Sequence, residues 1–86
     1  MAKILVVDDD ELIRELLVNA VERLGHRAWA VPGLEQARRV MDGVAPDLVY
    51  LDVRLPDGSG IDALEDIRSA PCQPEVIIIT GRGDPD

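Results

Sequence analysis

Three stretches of this 86-residue chain share one form: four largely apolar residues followed at once by an oxygen-bearing side chain. They are Ile4-Leu5-Val6-Val7 before Asp8, Leu48-Val49-Tyr50-Leu51 before Asp52, and Val76-Ile77-Ile78-Ile79 before Thr80. A short β-branched run with no polar alternation predicts a strand covered on both faces, the condition of strands in a parallel sheet. Between the first two runs, Leu12, Ile13, Leu16, Leu17, Ala20, Val21 and Leu24 recur at helical spacing and predict one broad apolar stripe. Asp9 or Asp10 is placed to cap that helix, and Gly25 sits where a left-handed residue ends it.

The remaining segments complete an alternating pattern. Arg27 to Val31 reads as a weaker strand at a sheet edge, and Pro32-Gly33 turns the chain into a helix from Leu34 to Met41, closed by Gly43. Residues 53–60 (VRLPDGSG) are predicted as loop, and Ile61, Leu64, Glu65, Ile67 and Arg68 as a third helix that stops before Pro71. The order βαβαβαβ with short connections predicts one α/β domain over residues 1–86, a doubly wound parallel sheet covered by helices. Right-handed crossovers bring all strand C-terminal ends to one sheet edge, where such sheets bind ligands.

That edge is where the oxygens collect. If the first, third and fourth strands are neighbours, Asp8 (with Asp9), Asp52 and Thr80 lie side by side, about 5 Å apart per strand step. Each has a plainer reading alone: Asp8 or Asp9 as a cap, Asp10 as a first-turn carboxylate, Asp52 as a solvated strand end, Thr80 as a β-former. Three strand ends with matching chemistry are not expected from those separate roles. Clustered carboxylates call for a cation, and Mg²⁺ takes hard oxygen ligands and works beside phosphate. A carboxylate beside that ion, with a hydroxyl nearby, is placed to attack phosphorus and form an aspartyl phosphate. Asp57-Gly58 reads as a turn, His26 as a surface residue, and Cys72 and Trp29 as packing, none with an assigned role.

Composition narrows the classes. A formal charge of −8, with 17 acidic against nine basic side chains, argues against nucleic acid or an anionic membrane as direct partners. No apolar run approaches a membrane span, Cys72 is the only cysteine, and no Cys/His pair has zinc-like spacing, so a reducing cytoplasm is the default.

At KILVVDDD (3–10), DLVYLDVRLPDGSG (47–60) and PEVIIITG (74–81) the chain resembles the receiver domain of bacterial response regulators. The resemblance implies a flavodoxin-like fold with strand order 2-1-3-4, the fifth strand and the last two helices being absent. It implies that Asp8 and Asp9 are the acidic pair, Asp9 a direct Mg²⁺ ligand and Asp8 acting largely through water. Asp52 would be phosphoacceptor and metal ligand, and the backbone carbonyl of Arg54 a further ligand. Leu55-Pro56 and Gly60 match the family's loop after the phosphoacceptor. Thr80 would be the switch hydroxyl, with the Gly81 amide nearby. The implied partners are a histidine kinase as phosphodonor and an output domain, of the kind found on transcriptional activators, including the NtrC-like group. A receiver of this type is a signalling domain rather than an enzyme. The family's strand-5 lysine and aromatic have no counterpart, and Lys3, the sole lysine, begins the first strand at the opposite end. Phosphorylation of this 86-residue chain is accordingly expected to be slow or undetectable. The fourth strand is expected to present an open edge that favours a homodimer or edge-paired oligomer.

Two other readings compete. A haloacid-dehalogenase-like phosphatase would use Asp8 and Asp10 as a D-x-D pair and IIIT at 77–80 as a second motif, but it leaves Asp52 and its loop without a purpose. The third reading is a receiver-like dimerisation module that is never phosphorylated, against which the complete acidic triad counts.

Overall fold

A computed structural model describes residues 1–79 of the chain. Four five-residue strands, β1 (Lys3–Val7), β2 (Arg27–Val31), β3 (Leu48–Asp52) and β6 (Glu75–Ile79), form one sheet in the order β2-β1-β3-β6. Every pairing in it is parallel, with Val7 beside Val31 and Leu51, and Asp52 beside Ile79. This is the predicted doubly wound α/β order. The central strands carry the apolar runs: Leu5, Val7, Val49 and Leu51 have no exposed surface.

Strand alternation divides the buried strand residues between the two faces of the sheet. Leu5, Val7, Val31, Val49 and Leu51 form the main core with Leu34, Ala37 and Met41 of α2 (Leu34–Val44) and Ala63 and Ile67 of α3 (Gly60–Arg68). Ile4 and Val6 are buried too but lie outside that cluster, on the face to which a right-handed β1-to-β2 crossover carries α1 (Glu11–Arg23). The predicted α1 stripe is broader than the surface it covers. No α1 residue is fully buried, and Leu12 and Leu16 are 63% and 57% exposed. Ile77 of β6 is also exposed, and among the described residues β6 has a strand neighbour on one side only.

The ends of the helices follow local chemistry. Asp10 caps α1, its carboxylate accepting the N–H groups of Leu12 at 2.9 Å and Ile13 at 3.3 Å. Gly25 takes the expected left-handed conformation at φ +90°. The second helix runs past its predicted end: Gly43 lies inside α2, which stops at Val44, and Ala45 takes the left-handed position at φ 55°. His26, assigned no role from sequence, accepts the Ala2 N–H on Nδ1 at 2.9 Å and so fastens the start of β1 to the α1–β2 turn. Trp29 and Cys72 are half-buried against the core, as their packing assignment predicts. No helix among the described residues is long and apolar enough to cross a membrane.

Candidate functional site

Parallel register does most of the work of assembling the acidic cluster. Val7 and Leu51 are neighbours across β1 and β3, so Asp8, one residue on, and Asp52, the last residue of β3, leave the sheet together. With Asp9 they form a group in which one carboxylate oxygen from each residue lies within 4.8 Å of the others. Asp8 and Asp52 are 5% and 4% exposed, while Asp9 faces solvent. A pair of buried carboxylates and a third at the rim is an unfavourable arrangement on its own, and a hard-oxygen donor set of this kind suits Mg²⁺.

Backbone contacts hold the two buried acids. Asp8 Oδ1 accepts the Asp10 N–H at 2.9 Å, and the Asp8 carbonyl accepts from Arg14 Nη1 at 2.9 Å. Asp52 Oδ1 accepts the Arg54 N–H at 3.2 Å. Tyr50 senses the local field from its place beside Val6 and Ile77: its hydroxyl pKa is raised by partial burial, and further by the charges of Asp8 and Asp52.

The segment after Asp52 is more ordered than the predicted loop. Arg54–Leu55 (β4) and Gly58–Ser59 (β5) make a two-residue antiparallel ladder, and Val53 O accepts the Gly60 N–H at 2.7 Å. Gly60 is required by this path, because a Cβ there would collide with the backbone carbonyl oxygen of Asp52. Ser59 then caps α3 by accepting the Ile61 N–H at 3.2 Å.

Asp57 does more than make a turn. Its two carboxylate oxygens accept the N–H groups of Leu34 at 2.9 Å and Glu35 at 3.0 Å, capping a helix whose own N-cap residue is Gly33. The Leu34 and Glu35 amides hold its carboxyl below the usual carboxylate range. The signal was present as a helix start with no capping side chain, but nothing in the sequence spacing joins residue 57 to residues 34 and 35.

Of the sequence-predicted residues, Asp8, Asp9 and Asp52 therefore come together, and Arg54 adjoins Asp52 through its N–H. Asp10 is engaged at the α1 cap, which removes the second acid of the D-x-D reading. Lys3 lies at the far end of β1, where its Nζ donates to the Val44 carbonyl at 3.0 Å. Thr80 and Gly81 lie outside the described residues.

Comparison with known proteins agrees with this geometry. The family profile of the response regulator receiver domain matches residues 4–86. The KDP operon transcriptional regulatory protein KdpE of Escherichia coli is 34% identical over 84 residues, which are 98% of this chain and 37% of that protein. The two-component response regulator PhoP of Pseudomonas aeruginosa is 35% identical over 82 residues, 95% of this chain and 36% of that protein. The solved structure of the MaeR response regulator bound to beryllium trifluoride matches with a TM-score of 0.84 and 32% identity, covering 98% of this chain and 70% of that one. The chain thus spans little more than a third of the two curated regulators. Since the profile match takes in all but the first three residues, the chain belongs to the receiver domains of two-component response regulators.

Proposed function

We propose that Asp52 accepts a phosphoryl group from the phosphohistidine of a partner kinase, in a site completed by Asp8, Asp9 and Mg²⁺. The observation that carries this reading is the convergence of three carboxylates within 4.8 Å, two of them buried at neighbouring strand ends. In the transfer an Asp52 carboxylate oxygen forms a bond to phosphorus, the N–P bond breaks, and its electron pair returns to the imidazole of the donor. The carboxylates of Asp8, Asp9 and Asp52 and the backbone carbonyl of Arg54 would hold the ion. When bound, Mg²⁺ offsets the negative charge of the carboxylates and of the incoming phosphoryl group. The Arg54 N–H, donating to Asp52 Oδ1, orients the nucleophile. The Thr80 hydroxyl and Gly81 amide would receive the phosphoryl oxygens. The change would pass to an output region, transcriptional as in KdpE, in a cytoplasmic signalling protein rather than an enzyme.

Thermal melts test the site. Because Mg²⁺ binds the native arrangement alone, it should stabilise the chain by about 2.7 kcal/mol at a hundredfold excess over its dissociation constant. Beryllium fluoride, a phosphoryl analogue, should add a further rise that requires Mg²⁺. Asp9→Asn should lose the first rise and Asp52→Asn the second. A Mg²⁺-dependent rise of equal size in Asp9→Asn would place the ion elsewhere.

Pairing of β6 edges between two copies is a second part of the proposal, motivated by the strand's having one strand neighbour among the described residues. Light scattering should then report a mass above that of one chain. A monomer at every concentration would rule the pairing out.

A further inference from the structure

The hairpin that follows Asp52 meets the start of α2 through Asp57 and Gly58, and the chemistry of that contact is unusual. An α-helix needs acceptors for its first N–H groups, normally supplied by the side chain of its own N-cap residue. In α2 the N-cap residue is Gly33, which has no side chain to offer. Its missing Cβ leaves room for a visitor: a Cβ built at Gly33 would stand 3.0 Å from Asp57 Oδ1 and 3.2 Å from Oδ2. The cap of α2 is therefore borrowed from residue 57, more than twenty residues downstream, with both oxygens engaged. Gly58 presses on the same turn, where its own absent Cβ would lie 3.0 Å from Leu34 Cδ1. The other limb of this hairpin begins at Arg54, whose N–H donates to Asp52 Oδ1.

We infer that Asp57 is a positioning residue for the phosphoryl-acceptor site: by capping α2 from the hairpin tip it fixes the β4–β5 hairpin, and with it the Arg54 backbone that orients Asp52. This rests on the reading of Asp8, Asp9 and Asp52 as the Mg²⁺ and phosphoryl site. A cap confined to its own helix would stabilise α2 equally well. Supplied from the hairpin, it also joins the start of α2 to the backbone beside the nucleophile, which a Ser or Asp at position 33 would not do.

Moving the cap separates the two roles. The chain is compared with Asp57→Ala, with Asp57→Asn, and with Asp57→Ala combined with Gly33→Asp. Mg²⁺ affinity is read by calorimetry, the Arg54 amide resonance by NMR, and stability by the melting midpoint. Asp57→Ala should lower the midpoint, shift the Arg54 resonance and weaken Mg²⁺ binding about tenfold, the lower part of the range for groups that orient metal ligands. Asp57→Asn keeps one of the two acceptors and should fall between. The double variant returns a carboxylate to α2 but not to the hairpin, so its midpoint should recover while its Mg²⁺ affinity and Arg54 resonance remain those of Asp57→Ala. Recovery of all three would show a helix cap and nothing more, as would an unshifted Arg54 resonance in Asp57→Ala. If the double variant does not regain its midpoint, the order of Arg54 shifts in Asp57→Asn and Asp57→Ala still decides, since a tether requires the alanine to shift it more. Loss of the underlying reading has a different signature: Mg²⁺ fails to bind the parent chain, or binds Asp9→Asn equally well, while the Arg54 shift in Asp57→Ala still reports the tether.

Discussion

Replacing Gly60 by alanine should destabilise the chain by about 3 kcal/mol, the upper end of the usual cost of overpacking. The added Cβ meets the backbone carbonyl of Asp52, with the Leu51 side chain also within 3.2 Å. A flexible side chain could rotate away, but a carbonyl at the end of a central buried strand cannot move without disturbing β3 or the hairpin. Native domains have about 5–15 kcal/mol of stability in total, and small ones lie at the low end. The urea midpoint should therefore fall steeply with little change in slope. Mg²⁺ binding should weaken in whatever fraction remains folded, because the displaced atom belongs to Asp52 itself. Gly43→Ala provides the contrast. Nothing lies within 4 Å of a Cβ at that position, inside α2, so this substitution should be neutral or stabilise by up to about 1 kcal/mol. Equal losses in the two variants would refute the close approach at Gly60.

Leu5→Ala should be at least as damaging. Leu5 has no exposed surface, lies between Trp29 and Val49 in the sheet, and belongs to the core shared with α2 and α3. Truncating such a residue costs about 2–5 kcal/mol through lost transfer energy and the cavity left behind. In a domain of this size that corresponds to a fall in melting temperature of about 10 °C or more. Leu16→Ala removes the same atoms from a site that is 57% exposed and should cost far less. A similar fall in both would mean that the α1 face is covered in solution, which the β6 edge-pairing proposal does not by itself supply.

The contrast between Leu5 and Leu16 also shows what the sequence could reveal. The apolar runs around Leu5, Val49 and Ile78 lack alternation, so strand identity and parallel order were legible, although in β6 no residue is buried and Ile77 is exposed. The helical spacing of Leu12, Leu16 and Leu24 was equally clear, but periodicity states which face a helix would bury, not whether a neighbour is there to cover it. Helix ends were less legible: Gly43 is a plausible stop, yet its backbone stays helical and Ala45 takes the left-handed turn. At the candidate site, Asp8, Asp9 and Asp52 could be grouped because strand register is a local rule extended across the sheet. The reach of Asp57 to the start of α2, and of Ala2 to His26, depends on tertiary placement that no spacing encodes.

The proposal that Asp52 is the nucleophile is tested most directly by locating the phosphoryl group. The protein is exposed to a phosphorylated kinase or acetyl phosphate with Mg²⁺, reduced with borohydride to convert any acyl phosphate to an alcohol, and mapped by peptide mass spectrometry. Whatever the yield, the modification should sit at residue 52 and vanish in Asp52→Asn. Modification at Asp8 or Asp9 in the parent chain, or label that persists in Asp52→Asn, would contradict it.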